Sequence, residues 1–412
     1  MISMFNILFL GGYFPQQFAV SIISKSKLQV QYAADTFQWA FINGLEQNLN
    51  RSIKLITAPF IGWYPKYYKD LIIRTSYFPA NDDFGTGVMI GFLNLPLIKN
   101  VFKFYNLKSH INNSITSGVI NVLIVYSLNF VFLKAAVKAK QKNPNVKICV
   151  IITDCYDYNE NLSILNKLYL KYIENPIINN LLSQVDCFVV LTDKMIDLLK
   201  LHNKPWIRIE GIYDDHSNCQ FENMSIDNSN KIVLYTGTLE YPYGIVELLD
   251  AFKLIKSQEF RLWICGGGRG AALVTKRMKE DERIVYFGIV PKEKVVELQS
   301  KATILVNPRN TVGEYNKYSF PSKTIEYLAS GTPTLLYKID GIPPEYYDYC
   351  YTVEDNEVQT LANSIYNTCK LDTVALNLKG KSAREFILKN KTAKMQCSKV
   401  LDMISNLNQN II

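Results

Sequence analysis

The chain has 412 residues, 48% of them hydrophobic and 20% charged, with a formal net charge of +8. That length predicts two or three domains, and the composition excludes a disordered, collagenous or small disulfide-stapled protein. The basic residues are scattered and match no nucleic-acid-binding motif, so the mild charge points to a phosphate-bearing substrate or an anionic membrane surface.

In chain order, Phe5–Leu10 (FNILFL) has the continuous apolar character of a strand buried on both faces, and it ends in Gly11-Gly12. A helix is predicted around 36–48, then a strand over 52–57. The stretch 59–84 is rich in Tyr and Pro without clear periodicity and reads as an irregular excursion. Strands at 119–126, 147–153, 187–191 and 207–210 then alternate with helices, one ending at Lys142 and others at 164–174 and 193–201. Such alternation signals a parallel sheet covered by helices on both faces. The apolar run 119–137 is interrupted by Asn121, Ser127, Asn129 and Lys134, so it predicts a strand and an amphipathic helix rather than a membrane span. Met1–Leu10 is too short and too strand-like for a secretory signal. The eight cysteines form no C-x-x-C pair and lie apart from the three histidines. They read as core thiols in a reducing cytoplasm, not as zinc ligands.

The polar stretch 214–230 reads as a linker. A second alternating series follows, with strands at 232–236, 260–265, 284–287, 302–306, 334–337 and 351–353. Helices are predicted at 245–257, 272–279, 292–300, 357–369 and 381–408. The expected fold class is α/β, with two doubly wound Rossmann-like domains facing a central cleft. Their bounds are 1–213 and 231–390, with a C-terminal helix, 391–412, packing back toward the first domain.

The most specific segment runs from Asn307 to Pro333, NPRNTVGEYNKYSFPSKTIEYLASGTP. It follows a strand and delivers Ser319, Ser322 and Lys323 into the first turn of a helix carrying Glu326. Free N–H groups there attract phosphate, and hydroxyls and a lysine add donors and charge. Glu326 stands three residues after Lys323 and four after Ser322, so the three share a helical face, where a carboxylate suits a ribose diol. The same pattern also suits an ordinary capped helix with a solvated Glu326. Arg309 stands at a strand end, where open α/β sheets bind ligands, and tips the reading toward a nucleotide-sugar site.

The segments YTGTLEYPYGIVELLDAF (Tyr235–Phe252), LWICGGGRG (Leu262–Gly270), VYFGIVPKEKVVELQSKATILVNPRN (Val285–Asn310) and SFPSKTIEYLASGTP (Ser319–Pro333) complete the pattern. Together they resemble the donor domain of GT-B glycosyltransferases, closest to retaining family 4 enzymes of bacterial surface-polysaccharide synthesis. The resemblance places Gly237 and Thr238 near the donor phosphates and Gly266 and Gly268 in a turn bordering the base. It places Ser319, Ser322 and Lys323 around the diphosphate, with Arg309 close by. Glu326 matches the second Glu of the family's E-x7-E signature, which holds the ribose. Gly11 and Gly12 fall where family members set a glycine loop beneath the donor sugar. Asp154, at a strand end of the acceptor-binding half, would position or deprotonate the acceptor hydroxyl, a helix N-cap being its other reading.

Two departures bear on mechanism. The first Glu of the signature is replaced by Tyr318, and the Arg and Lys that commonly grip the phosphates correspond to Thr238 and Tyr243. The phosphate charge then falls to Arg309, Lys323 and helix N-termini, and Asp154, Arg309 and Lys323 form the expected catalytic group. The implied reaction moves a sugar from a nucleotide diphosphate sugar to a hydroxyl of a growing, lipid-linked surface glycan, with retention. Neither a metal nor a cofactor is implied; Asp82-Asp83 and Asp214-Asp215 read as turn residues. The expected location is the cytoplasm, docked peripherally at the inner membrane face through the aromatic-basic segment Trp63–Lys69 (WYPKYYK). A sugar-nucleotide epimerase on the same scaffold, or an inactive nucleotide-sugar-binding protein, are the alternatives. Donor turnover and acceptor dependence separate the three.

Overall fold

In the computed structural model, which describes residues 5–27, 30–79, 86–96, 98–154, 175–214 and 230–407, the unbroken apolar runs become strands. The chain divides into two units, Met1–Ile212 with Ala393–Ile412, and Tyr213–Thr392. The predicted helix 164–174, most of the predicted linker, Asp82, Asp83, Asp215, Cys155 and Cys219 lie outside the described residues.

The first unit is built on ten strands: β1 (Phe5–Gly11), β2 (Lys54–Thr57), β3 (Ile72–Ile73), β4 (Ser76–Pro79), β5 (Thr86–Met89), β6 (Phe92–Leu93), β7 (Ile120–Tyr126), β8 (Val146–Ile152), β9 (Cys187–Val190) and β10 (Trp206–Arg208). Eight of them form one sheet in the order β10-β9-β8-β7-β1-β2-β5-β4, parallel except for β4, while β3 and β6 pair separately. β1 is central, with Leu8 opposite Leu123 on β7 and Lys54 on β2. Between the strands run α1 (Gln16–Lys25), α2 (Tyr32–Leu49), α3 (Lys99–Ser114), α4 (Phe130–Lys142), α5 (Asn175–Leu182) and α6 (Lys194–Leu199). The run 119–137 is thus β7 followed by the start of α4, which Asn129 caps by accepting from Val131 and Phe132 N–H. No described helix is long and apolar enough to cross a membrane.

α3 was not foreseen. Its N-cap, Ile98, makes no side-chain cap bond, and its interior carries Asn, Phe, Tyr and Val. Those residues give a weak local helix signal, so tertiary packing of Lys103, Leu107 and Ile111 decides it. The predicted irregular stretch likewise contains β3 and β4.

The second unit carries β11 (Lys231–Thr236), β12 (Phe260–Cys265), β13 (Ile284–Gly288), β14 (Ile304–Asn307), β15 (Thr334–Tyr337) and β16 (Tyr351–Val353). All pair in parallel, in the order β13-β12-β11-β14-β15-β16. Six helices cover the sheet: α7 (Ile245–Leu254), α8 (Ala271–Glu280), α9 (Lys292–Lys301), α10 (Lys323–Ser330), α11 (Val358–Cys369) and α12 (Thr373–Asn390).

The single helix predicted over 381–408 is two: α12, and α13 (Ala393–Asn406) beyond a break. At the break the Lys391 carbonyl accepts from Tyr213 N–H at 2.8 Å, a bond that takes it out of the helical ladder. α13 belongs to the first unit and packs on α2, where a methyl on Gly44 would meet the Ala393 carbonyl at 2.3 Å. Six cysteines in the described residues are buried free thiols.

Candidate active site

The strand order of the second unit reverses between β11 and β14. Loops leaving two such strands run to opposite faces of the sheet, and doubly wound folds bind ligands outside the strand ends at that point. Three loops meet there through glycine. Gly237 N–H donates to the Cys265 carbonyl at 3.0 Å. Gly266 has φ +135°, and a methyl on it would lie 1.8 Å from the Gly237 carbonyl oxygen. Gly244, at φ +82°, leaves no room for a side chain beside the Pro308 carbonyl, 2.0 Å from an added methyl. Gly268 approaches the Leu239 carbonyl in the same way.

Helix α10 is fixed to this point by one side chain. The buried Tyr327 hydroxyl accepts from Thr236 N–H at 2.7 Å and donates to the Thr236 carbonyl at 2.9 Å. Burial, the larger cause, holds this phenol above its ordinary pKa and keeps it a donor. The start of α10 and the Gly237-Thr238 turn are thereby held together. Ser322 stands at the N-cap, exposed and making no side-chain cap bond, so its hydroxyl is not used in an ordinary cap. Lys323 and Glu326 share a helical face, as their spacing predicts, and pair with each other at 2.6 Å.

Arg309, two residues beyond β14, is 8% exposed. Its Nε donates to Asn316 Oδ1 at 2.7 Å and an Nη donates to Ser319 Oγ. The Tyr315 and Tyr243 rings lie 4.7 and 5.6 Å from the guanidinium carbon. Asn316 is itself buried and tied to the Asn310 and Val312 carbonyls, which shapes the loop around the cation. Every partner the structure gives this guanidinium is neutral, and no described carboxylate pairs with it. Burial pushes its pKa down from the ordinary arginine range, and a buried cation without a counter-charge favours an anion.

Residues 230–370 match the family model described as glycosyl transferases group 1. The whole chain superposes on sucrose-phosphate synthase from Thermosynechococcus elongatus with a TM-score of 0.64 at 14% identity, covering 97% of this chain and 99% of that one. The trehalose 6-phosphate synthase of Burkholderia multivorans gives a TM-score of 0.68 at 9% identity, with coverages of 99% and 98%. The Anabaena protein Alr3699/HepE, in complex with UDP, gives 0.63 at 13% identity, with coverages of 97% and 100%. No curated protein is a sequence match to the chain.

The chain has the GT-B fold, and its second unit carries the match to glycosyl transferases group 1. Among the described residues, no group of three or more His, Cys, Asp or Glu is placed to hold a metal ion. The two positions where the family commonly has phosphate-gripping cations are Thr238, exposed, and Tyr243, whose ring faces Arg309. The Tyr243 ring thus lies against a guanidinium from the loop after β14. The contacts of Tyr243, Tyr315 and Asn316 with Arg309 were not legible in the sequence, since they form only in the fold.

The remaining expected residues lie in the first unit. Gly11 ends β1, Gly12 donates to Gln38 Oε1 at 2.9 Å, and Gln38 and Phe60 close over the two glycines. Asp154 follows β8 and accepts from Thr153 Oγ1 at 3.3 Å. The Tyr126 phenol, at the end of β7, hydrogen-bonds Thr153 and is pushed above its ordinary range by burial, then by the Asp154 and Asp35 carboxylates. Asp35, which sequence reasoning missed, therefore shares the Asp154 neighbourhood. Its Oδ1 accepts from Phe14 N–H at 2.7 Å, and burial raises its pKa to about 6 against the opposing effect of that bond.

Proposed function

We propose that this protein is a glycosyltransferase and passes a sugar, with retention, from a nucleoside diphosphate sugar to a hydroxyl of a lipid-linked surface glycan at the inner face of the membrane. The observation that carries the donor half is the buried Arg309 guanidinium, surrounded by neutral partners where the strand order reverses. The leaving group is a nucleoside diphosphate, so negative charge grows on its phosphate oxygens as the glycosidic bond breaks. A preformed cation meets that charge without reorganising at the moment of reaction.

In this reading Arg309 and Lys323 hold the diphosphate together with the Ser319 and Ser322 hydroxyls and the free N–H groups that begin α10. Lys323 exchanges its internal partner, Glu326, for phosphate, and this frees the Glu326 carboxylate to accept from the ribose diol. Gly237, Thr238, Gly266 and Gly268 let backbone approach the nucleotide. On the acceptor side, Gly11 and Gly12 lie beneath the donor sugar and Asp154 positions or deprotonates the acceptor hydroxyl.

The test is incubation of the purified protein with a panel of UDP-, GDP- and other nucleotide sugars, scoring nucleotide release with and without a membrane-extract acceptor. Acceptor-stimulated release from one donor supports transfer and identifies the sugar. Conversion or release independent of acceptor refutes it in favour of an epimerase or hydrolase.

A further inference from the structure

The expected docking segment does not present its rings. Trp63, Tyr64 and Tyr67 are half-buried and Tyr68 is buried, with the Lys66 ammonium over the Trp63 and Tyr67 rings. A different element does. On α3 the side chains of Ile98, Val101, Phe102 and Tyr105 are all exposed, Val101 and Tyr105 at 52% and 63%. Their spacing (i, i+3, i+4, i+7) puts them in one stripe on the face opposite Lys103, Leu107 and Ile111, which are buried. Away from the stripe, Tyr77 of β4, also exposed, meets the His110 ring of α3 at 6.5 Å.

Among the described residues of α3 and α4 the charges nearest the stripe are cationic, Lys99 and Lys108 of α3 and Lys134 of α4, and neither helix has an Asp or Glu; Lys103 lies on the buried face and Lys140 pairs with Asp186. Lys99 stands three residues before Phe102, and Lys108 three after Tyr105, so both flank the ridge. The α4 lysine Lys134 lies 5.1 Å from the Phe104 ring, which in turn packs edge-on to Tyr105. A solvated helix face would not expose four large apolar side chains in register, and a protein partner would not call for a rim without acids. An apolar ridge flanked, among the described residues of α3 and α4, only by cations is complementary to the headgroup region of an anionic bilayer, which takes apolar side chains into its acyl boundary and lysines onto its phosphates.

We propose that α3 is the membrane-docking surface of this enzyme and that its occupant is a bilayer containing anionic lipid. The proposal rests on the reading that the acceptor is lipid-linked, and it replaces Trp63–Lys69 as the docking element.

The experiment is sedimentation of the full chain with phosphatidylglycerol-containing vesicles and with pure phosphatidylcholine vesicles. Wild type should bind the anionic vesicles, with partitioning weakened by salt. The variant V101S/F102S/Y105S should bind them at least tenfold less, and K99Q/K108Q should lose about tenfold by charge alone. Both variants should keep wild-type thermal unfolding and wild-type binding of a nucleoside diphosphate, since neither touches the donor site. Three results would each overturn the proposal: no binding of wild type to anionic vesicles, equal binding to both vesicle types, or a triple-serine variant that binds like wild type. Heparin is added as a soluble polyanion. Vesicle binding displaced by heparin but indifferent to the serine substitutions means a polyanion surface and also overturns it. Failure of the transferase reading shows separately, as absent acceptor-stimulated nucleotide release in wild type whatever the vesicles do.

Discussion

Replacing Arg309 by Met removes the charge and keeps a long, polarizable side chain between the Tyr243 and Tyr315 rings. In the free enzyme two effects oppose each other. Asn316 Oδ1, buried, loses its 2.7 Å donor, and an unsatisfied buried acceptor costs about 1–3 kcal/mol. Against that, an uncompensated buried cation disappears and the thioether packs well on aromatic rings. The net stability change is expected within about 1 kcal/mol of wild type by those offsets. Nucleotide binding has no such offset. A hydrogen bond from a charged donor contributes about 1.5–3 kcal/mol, so losing it from the diphosphate should weaken affinity roughly 10- to 100-fold. Calorimetric titration with a nucleoside diphosphate, paired with denaturant unfolding, reads both quantities. Wild-type affinity in the variant would refute the anion-site reasoning. A stability loss above about 3 kcal/mol would assign Arg309 to holding its loop rather than binding ligand.

Three further outcomes are expected. K323A and E326A should each abolish or cripple transfer while changing stability by no more than about 1 kcal/mol, because the pair they break is largely solvent-exposed. Normal turnover by both would remove them from the site. Asp35 has a folded-state pKa raised to about 6 from 3.8, so the native state holds a proton that the unfolded chain has released. Its contribution to stability is therefore present below pH 4 and lost as pH rises through 6. D35N, which can still accept from Phe14 N–H, should flatten that slope and raise stability at pH 7 by about 1–2 kcal/mol after allowance for partial exposure. An unchanged pH profile of unfolding would contradict this. G266A sets a methyl 1.8 Å from the Gly237 carbonyl at a positive φ and should cost about 3 kcal/mol or more, measured by denaturant midpoint. A loss under about 1 kcal/mol would mean the two loops are not locked together.

The second unit was the more legible half. β12, β15 and β16 have the predicted ends, and the segment 307–333 connects β14 to β15 and holds α10, as its pattern implied. Parallel strands buried on both faces must be continuous apolar runs, and that signal survives without any neighbour. Helices with a weak local signal did not: α3 has no side-chain cap, and α12 and α13 are parted by a carbonyl that a residue far back in the chain withdraws. At the site, spacing along one helix was enough to put Lys323 beside Glu326. The Arg309 surroundings were not, because Tyr243 and Asn316 come to it from separate loops.

The sequence alone determined the class of fold, two alternating series of strands and helices, and the shared helical face of Lys323 and Glu326, because both rest on local periodicity. The order of the strands, and hence the point where β11 and β14 part, was decided only by tertiary structure. So was the burial of Arg309 with no described carboxylate paired to it. A residue's burial and its partners depend on chain segments brought together by the whole core, and no local window contains them.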